Sequence, residues 1–215
     1  MPRPTDQPRT PYPPSVDRLI AEYARLPGVG RRSAERLALH TLKSTNAEAL
    51  ALADAIADVK KSIRHCTVCF NFAEGERCAI CDDPRRDRAM VLVVEQPRDL
   101  IALEQTGMYR GIYHVLLGRI SPLDSVGPEH LTIADLLARI DDPARNAGAV
   151  PVREVVLGLN PTLEGDGTAL YIQSALASRG IAVSRLARGL PSGSSLEFAS
   201  KAVLADAIEG RQPLR

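Results

Sequence analysis

A chain of 215 residues is long enough for one large or two small domains. Hydrophobic residues make up 45%, enough for a packed core, but aromatics are only 4% and Trp is absent, so aliphatic side chains must fill it and stacked aromatic platforms for bases are disfavoured. The formal net charge of +1 names no partner, but the charge is uneven: residues 1–65 carry 11 Lys and Arg against 7 Asp and Glu, and the remainder 16 against 19. No apolar run approaches the roughly 20 residues of a membrane span. No charged-then-apolar leader opens the chain, and all four cysteines cluster, so a cytosolic, reducing compartment is expected.

Residues 1–14 hold six prolines and read as a disordered tail. From Ser15, a potential cap, a helix over 15–25 puts Val16, Leu19, Ile20 and Tyr23 on one face. L-P-G-V-G, Leu26 to Gly30, then forces a tight reversal. A second helix starts near Arg31 with Ala34, Leu37, Ala38, Thr41 and Leu42 on its apolar side. A third runs from Asn46, read as its cap, to about Ile63, with Leu52, Ile56, Val59 and Ile63 as a buried stripe. This is a helix-hairpin-helix pattern. Arg32, Arg36 and His40 recur at i, i+4 and i+8 on the second helix, flanked by Arg31 and Lys43. Such a row beside a helix N-terminus suits a phosphate backbone read without regard to sequence. A merely solvated basic face is the plainer alternative. G-V-G-R-R-S follows a helix and lacks a third glycine, so it is no dinucleotide fingerprint.

Cys66, Cys69, Cys78 and Cys81 form two C-x-x-C pairs separated by eight residues. Four thiolates match the ligand set of a structural Zn²⁺ and leave no open position for catalysis. A redox dithiol is expected near a βαβ pattern, one pair to a site, whereas here two pairs share one short polar loop. His65 adjoins Cys66 and is expected at the surface or behind the ligands. Zinc would supply the folding free energy that so short a segment lacks.

Beyond the cysteines the pattern changes. Strands are predicted over Met90–Glu95, Gly111–Leu117, Val152–Leu159 and Ile181–Leu186. Helices are predicted over 97–106, Leu131–Ile140, 165–178 and Phe198–Ile208. Alternation of this kind argues for a mostly parallel sheet covered by helices. Ligands of such sheets bind beyond the carboxyl ends of the strands. Glu95 ends the first strand, and Glu164 and Asp166 follow the third, so three carboxylates are expected to meet at one edge. They suit Mg²⁺, a basic partner, or a helix dipole.

Glu95 after a β-run and a later N-P-T-L-E-G-D resemble the Toprim domain. The order hairpin, four-cysteine module, Toprim resembles the bacterial recombination mediator family RecR. L-P-G-V-G, E-Q-P-R-D-L, Y-R-G-I-Y-H-V-L, S-P-L, G-P-E-H-L, N-P-T-L-E-G-D-G-T and G-L-P-S-G-S-S-L-E-F all fit, over residues 15 to about 211. The resemblance implies a multi-domain α/β chain. Its parts are a tail (1–14), a helix-hairpin-helix domain (15–64), a four-cysteine zinc finger (65–84), a Toprim domain (88–182) and a C-terminal, Walker-B-like oligomerisation segment (183–215).

The resemblance further implies a ring-forming homo-oligomer, a dimer or tetramer, that clamps single- or double-stranded DNA in the bacterial cytoplasm at the nucleoid. It implies work with RecO and RecF to load RecA on gaps coated by single-stranded-DNA-binding protein. DNA contact falls on Arg32 and Arg36, and grip on RecO on Glu95, Asp99, Glu164 and Asp166. Most relatives carry Lys where Arg32 stands, and Asp where Ser200 stands. Toprim enzymes such as type IA topoisomerases and primases carry D-x-D where this chain has Asn160-Pro161-Thr162. Both metal-binding aspartates are therefore replaced, which leaves room for one weak Mg²⁺ and argues for no enzymatic activity. The alternatives are a Mg²⁺-dependent nuclease or primase-like enzyme, and a zinc-stabilised interaction module that never touches nucleic acid.

Overall fold

The computed structural model describes residues 11–211 and 213. The chain divides into two compact units, Met1–Ser62 and Ile63–Arg215.

The first unit is helical. α1 (Pro14–Ala24) begins one residue earlier than expected. Pro13 is its N-cap and Pro14 its first residue, so a fixed φ starts the helix in place of a Ser15 cap. Residues 1–10 of the expected tail lie outside the described residues. α1 packs on α2 (Arg31–Lys43) through Val16, Ile20, Ala34 and Ala38, with a 3.0 Å hydrogen bond between the Tyr23 and Thr41 hydroxyls. α3 (Asn46–Ser62) is capped by Thr45, not Asn46. The Thr45 hydroxyl accepts from Glu48 N–H at 3.3 Å, and the Glu48 carboxylate accepts from Thr45 N–H at 2.9 Å, a reciprocal capping box. The predicted stripe on this helix is not buried. Leu52, Ile56 and Val59 are 48–59% exposed, and no residue of α3 is buried. Leu37 and Leu42 of α2 are exposed too. The periodicity is genuine, but nothing among the described residues buries it.

In the second unit a two-stranded antiparallel ribbon, β1 (Arg64–His65) and β2 (Phe72–Ala73), and a short helix α4 (Ala79–Asp82) carry the cysteine loops. A four-stranded sheet follows, in the order β4-β3-β5-β6, every neighbouring pair parallel. Its strands are β3 (Asp87–Val94), β4 (Gly111–Val115), β5 (Glu154–Leu157) and β6 (Ala182–Arg185). β3 is central. Its M-V-L-V-V run is continuous because alternate residues serve two cores. Val91 and Val93 join Ile112, Leu136, Val155, Ile172 and Leu176, the cluster of α6 (Ile133–Asp141) and α7 (Leu163–Leu176). Leu92 and Val94 join Leu100 of α5 (Pro97–Glu104), Tyr113 and Val115.

β4 is an edge strand, yet all five of its residues are buried. The cysteine module covers it: Val115 N–H donates to Cys69 C=O at 2.8 Å, which satisfies an edge that would otherwise invite pairing. β6 is the opposite edge, and it spans the boundary expected between 182 and 183. The closing helix, α8 (Lys201–Glu209), starts later than predicted. Ser200 caps it, its hydroxyl accepting from Val203 N–H at 3.3 Å. Asp, the residue that the resemblance leads one to expect here, would cap as well as Ser. Among the described residues no helix is long and apolar enough to cross a membrane.

One charged cluster braces the β3–β4 side. Arg86 pairs with Glu104 through both guanidinium nitrogens, and Tyr113 donates to the same carboxylate at 2.7 Å. The Arg86 hydrogen bond, with help from Tyr113, holds the Glu104 carboxyl below its ordinary value of 4.5. A depressed carboxylate contributes stability above its unfolded pKa and loses it as pH falls through the folded one. Urea midpoints should therefore drop below about pH 4.5 in the wild type, and Glu104→Gln should flatten that acid limb. An unchanged limb in the variant would remove Glu104 from the acid response.

Candidate nucleic-acid interface, metal centre and acidic rim

The elbow between α1 and α2 is built by two glycines with different tasks. Gly28 sits at φ +79°, the left-handed region that a side chain strains to adopt. Gly30 is the extended N-cap of α2 and offers no capping side chain. The first intrahelical bond runs from Ala34 N–H to Gly30 C=O at 2.9 Å, so the amides of 31–33 face out of the helix end. A Cβ on Gly28 or Gly30 would meet nothing within 4 Å, so the space beside these two glycines is open. Arg32, Arg36, His40 and Lys43 are exposed along the same helix. Arg31 is drawn aside to Glu35 at 3.5 Å, but neither Arg32 nor Arg36 has an ion-pair partner among the described residues. The elbow presents amides, a positive dipole end and uncommitted guanidinium groups to one approaching anion.

The four cysteines converge. Their sulfurs all lie within 4.8 Å of one another and all four residues are buried. A tetrahedral site with Zn–S bonds of about 2.3 Å needs sulfurs roughly 3.8 Å apart, so the set fits. The crowding also sets the chemistry. The Cys69 hydrogen bond, with those of Cys78 and Cys81, pulls the Cys66 thiol far down, while bonds to Cys66 push Cys69 and Cys81 far up. Four sulfurs this close cannot all ionise alone, and a dication among them removes the conflict. His65 is exposed, as expected, with Nδ1 2.9 Å from Phe70 C=O and its ring stacked on Phe72. Among the described residues this is the one group of three or more His, Cys, Asp or Glu able to share an ion.

Glu95 reaches the start of α7, which carries Glu164 and Asp166, but among the described residues these three acids do not form a group able to share an ion, and Glu95 and Asp166 have partners of their own. Glu95 is only 2% exposed, and its Oε1 accepts from Asn160 N–H at 2.8 Å. Arg119 stands 3.7 Å from its other oxygen. Glu95 thus pins the N-P-T loop. Thr162 then caps α7 by accepting from Gly165 N–H at 3.1 Å. A Cβ at Gly165 would fall 2.1 Å from Asn160 C=O, so the helix can approach the loop only as glycine. Asp166 is held by both guanidinium nitrogens of Arg188, which keeps its carboxyl below the usual range. Asp99 belongs to the capping box of α5, accepting from Gln96 N–H at 2.9 Å. Glu164 alone of the four has no ion-pair partner among the described residues.

Sequence reasoning did not single out Arg119 or Arg188, the cations that occupy this rim. Nothing in their spacing marks them, since each reaches its acid through a loop. Arg139, buried on α6, was also missed, although helical spacing from Ile133 and Leu136 puts it on the inner face.

Comparison with known proteins agrees with this anatomy. A model of the RecR helix-hairpin-helix matches residues 16–60, a model of the RecR zinc finger domain with four cysteines matches 63–83, and a Toprim domain model matches 89–187. Recombination protein RecR of Rhodopirellula baltica is 48% identical over 200 residues, covering 93% of this chain and 97% of the relative. The proteins of the same name from Rubrobacter xylanophilus and Chlorobium chlorochromatii are 49% and 50% identical, over 94% and 92% of this chain and 98% and 96% of theirs. With three such modules in this order and half-identity along nearly the whole length, the chain belongs to the RecR family of recombination proteins.

Proposed function

We propose that this chain is a recombination mediator that binds and bridges without performing chemistry. The observation that carries the reading is the α1–α2 elbow: an exposed helix start with no capping side chain, flanked by Arg32 and Arg36, which have no ion-pair partner among the described residues. It suits phosphates of single- or double-stranded DNA irrespective of sequence. One structural Zn²⁺ held by Cys66, Cys69, Cys78 and Cys81 stabilises the middle segment. The domain limits 15–64, 65–84, 88–182 and 183–215 serve as the working division. Work at the nucleoid with RecO and RecF, loading RecA at gaps, is the role that the resemblance implies.

Ring formation is supported by apolar faces that one chain leaves bare: Leu52, Ile56 and Val59 on α3, and Leu196, Phe198 and Ile208 in the C-terminal segment. Such faces are expected to be covered by further copies. At the acidic rim, Glu95 and Asp166 are already matched by Arg119 and Arg188, which leaves little attraction for even a weak Mg²⁺. Among the four acids proposed to grip RecO, Glu164 is the one free to do so. Glu95 and Asp99 would act by shaping the rim.

Two outcomes test this. Arg32→Glu with Arg36→Glu should abolish DNA binding at moderate salt and remove about two contacts from the salt dependence. Wild-type affinity in the double variant would take the elbow out of the interface. Glu164→Lys should lose RecO without loss of stability, whereas Glu95→Ala should cost about 1.5–3 kcal/mol in urea unfolding, because the part-buried Asn160 N–H loses a charged acceptor. Full RecO binding by Glu164→Lys would place the grip elsewhere.

A further inference from the structure

α6 carries a cation on its buried face. Arg139 is 2% exposed and is the largest fully buried side chain among the described residues. It is also the one buried Lys or Arg among them. No carboxylate among the described residues forms an ion pair with it. Its Nε donates to Asn146 Oδ1 at 2.8 Å, and its Nη1 donates to Tyr113 C=O at 2.7 Å and to Val68 C=O at 3.3 Å. Nη2 is buried with no hydrogen-bond partner among the described residues. Asn146 is itself fixed, donating to Arg88 C=O at 2.8 Å. Val68 lies inside the first C-x-x-C pair and Tyr113 on β4, so one guanidinium joins the metal loop, the sheet edge and α6.

Two buried charges of opposite sign thus face the same difficulty. A guanidinium does not shed its proton, so burial leaves Arg139 charged and in need of an anion. Zn²⁺ with four thiolates carries a net charge of −2, and these cysteines are at most 4% exposed. Burial pulls the Arg139 guanidinium down from its ordinary value. Two backbone carbonyls and the Asn146 side chain take up Nη1 and Nε, Nη2 is left without a partner, and only a charged group answers the charge.

We propose that Arg139 is the counter-cation of the zinc–tetrathiolate centre, and that through it metal loading is felt by β4 and α6. The inference rests on the zinc reading of the cysteine cluster. Groups just outside a metal's ligands commonly change its affinity 10–100-fold when altered.

The test compares the full chain with Arg139→Lys, which keeps the charge, and Arg139→Gln, which keeps donors but not charge. Zinc affinity is measured by competition with a chelating dye, alongside the spectrum of the Co²⁺-loaded protein and unfolding with and without chelator. A counter-cation predicts Lys within a few-fold of wild type and Gln about 10–100-fold weaker, with the tetrathiolate spectrum retained. It also predicts that the stability gap between wild type and Arg139→Gln narrows or reverses once zinc is stripped, since the cation then lacks its anion. Equal affinity in all three proteins, or equal losses in Lys and Gln, would overturn the proposal in favour of simple packing. Wild-type chains that bind no zinc at all would instead remove the metal reading, and this inference with it.

Discussion

The second unit of this protein depends on four sulfurs meeting within 4.8 Å at the edge of a parallel sheet. The segment that carries them has two-residue strands and a single-turn helix, too little to bury a core of its own. It nevertheless covers β4, and its Cys69 carbonyl accepts from Val115 N–H. Its cysteines join the same apolar cluster as Val91, Ile112 and Leu136. A metal at that point links the module's loops to one another, and Arg139 and the edge hydrogen bond link the module to the sheet. The metal centre is therefore part of the α/β core rather than an ornament beside it.

At the acidic rim the carboxylates are tied up by partners within the chain. Glu95 directly follows β3, and a loop followed by α7 lies beyond β5. Yet Glu95 accepts a backbone amide, and Asp166 is held by the chain's own arginine. The protein's own amides and cations thus take up two of the carboxylates at this end of the sheet. What a fold can host is decided by such local details, not by topology.

Much of this was legible in the sequence because the signals were local. M-V-L-V-V-E announced a buried central strand, C-x-x-C spacing announced convergence of sulfurs, and L-P-G-V-G announced the elbow. The reading failed where a partner came from far along the chain. Arg188 finds Asp166 across 22 positions, and Arg119 approaches Glu95 across another loop. It failed also on α3, where amphipathic spacing does not say whether the covering surface lies in the same chain. The cap of that helix was misplaced by one residue, because Thr45 with Glu48 outcompetes Asn46 by capping reciprocally.

The central claim is that this protein holds DNA without altering its covalent structure. Supercoiled plasmid incubated with the full chain and Mg²⁺, then run both with and without removal of the protein, examines it directly. The account predicts retarded plasmid that returns to its original supercoiled position once protein is stripped. Nicked or relaxed plasmid that disappears with Glu95→Ala would contradict it.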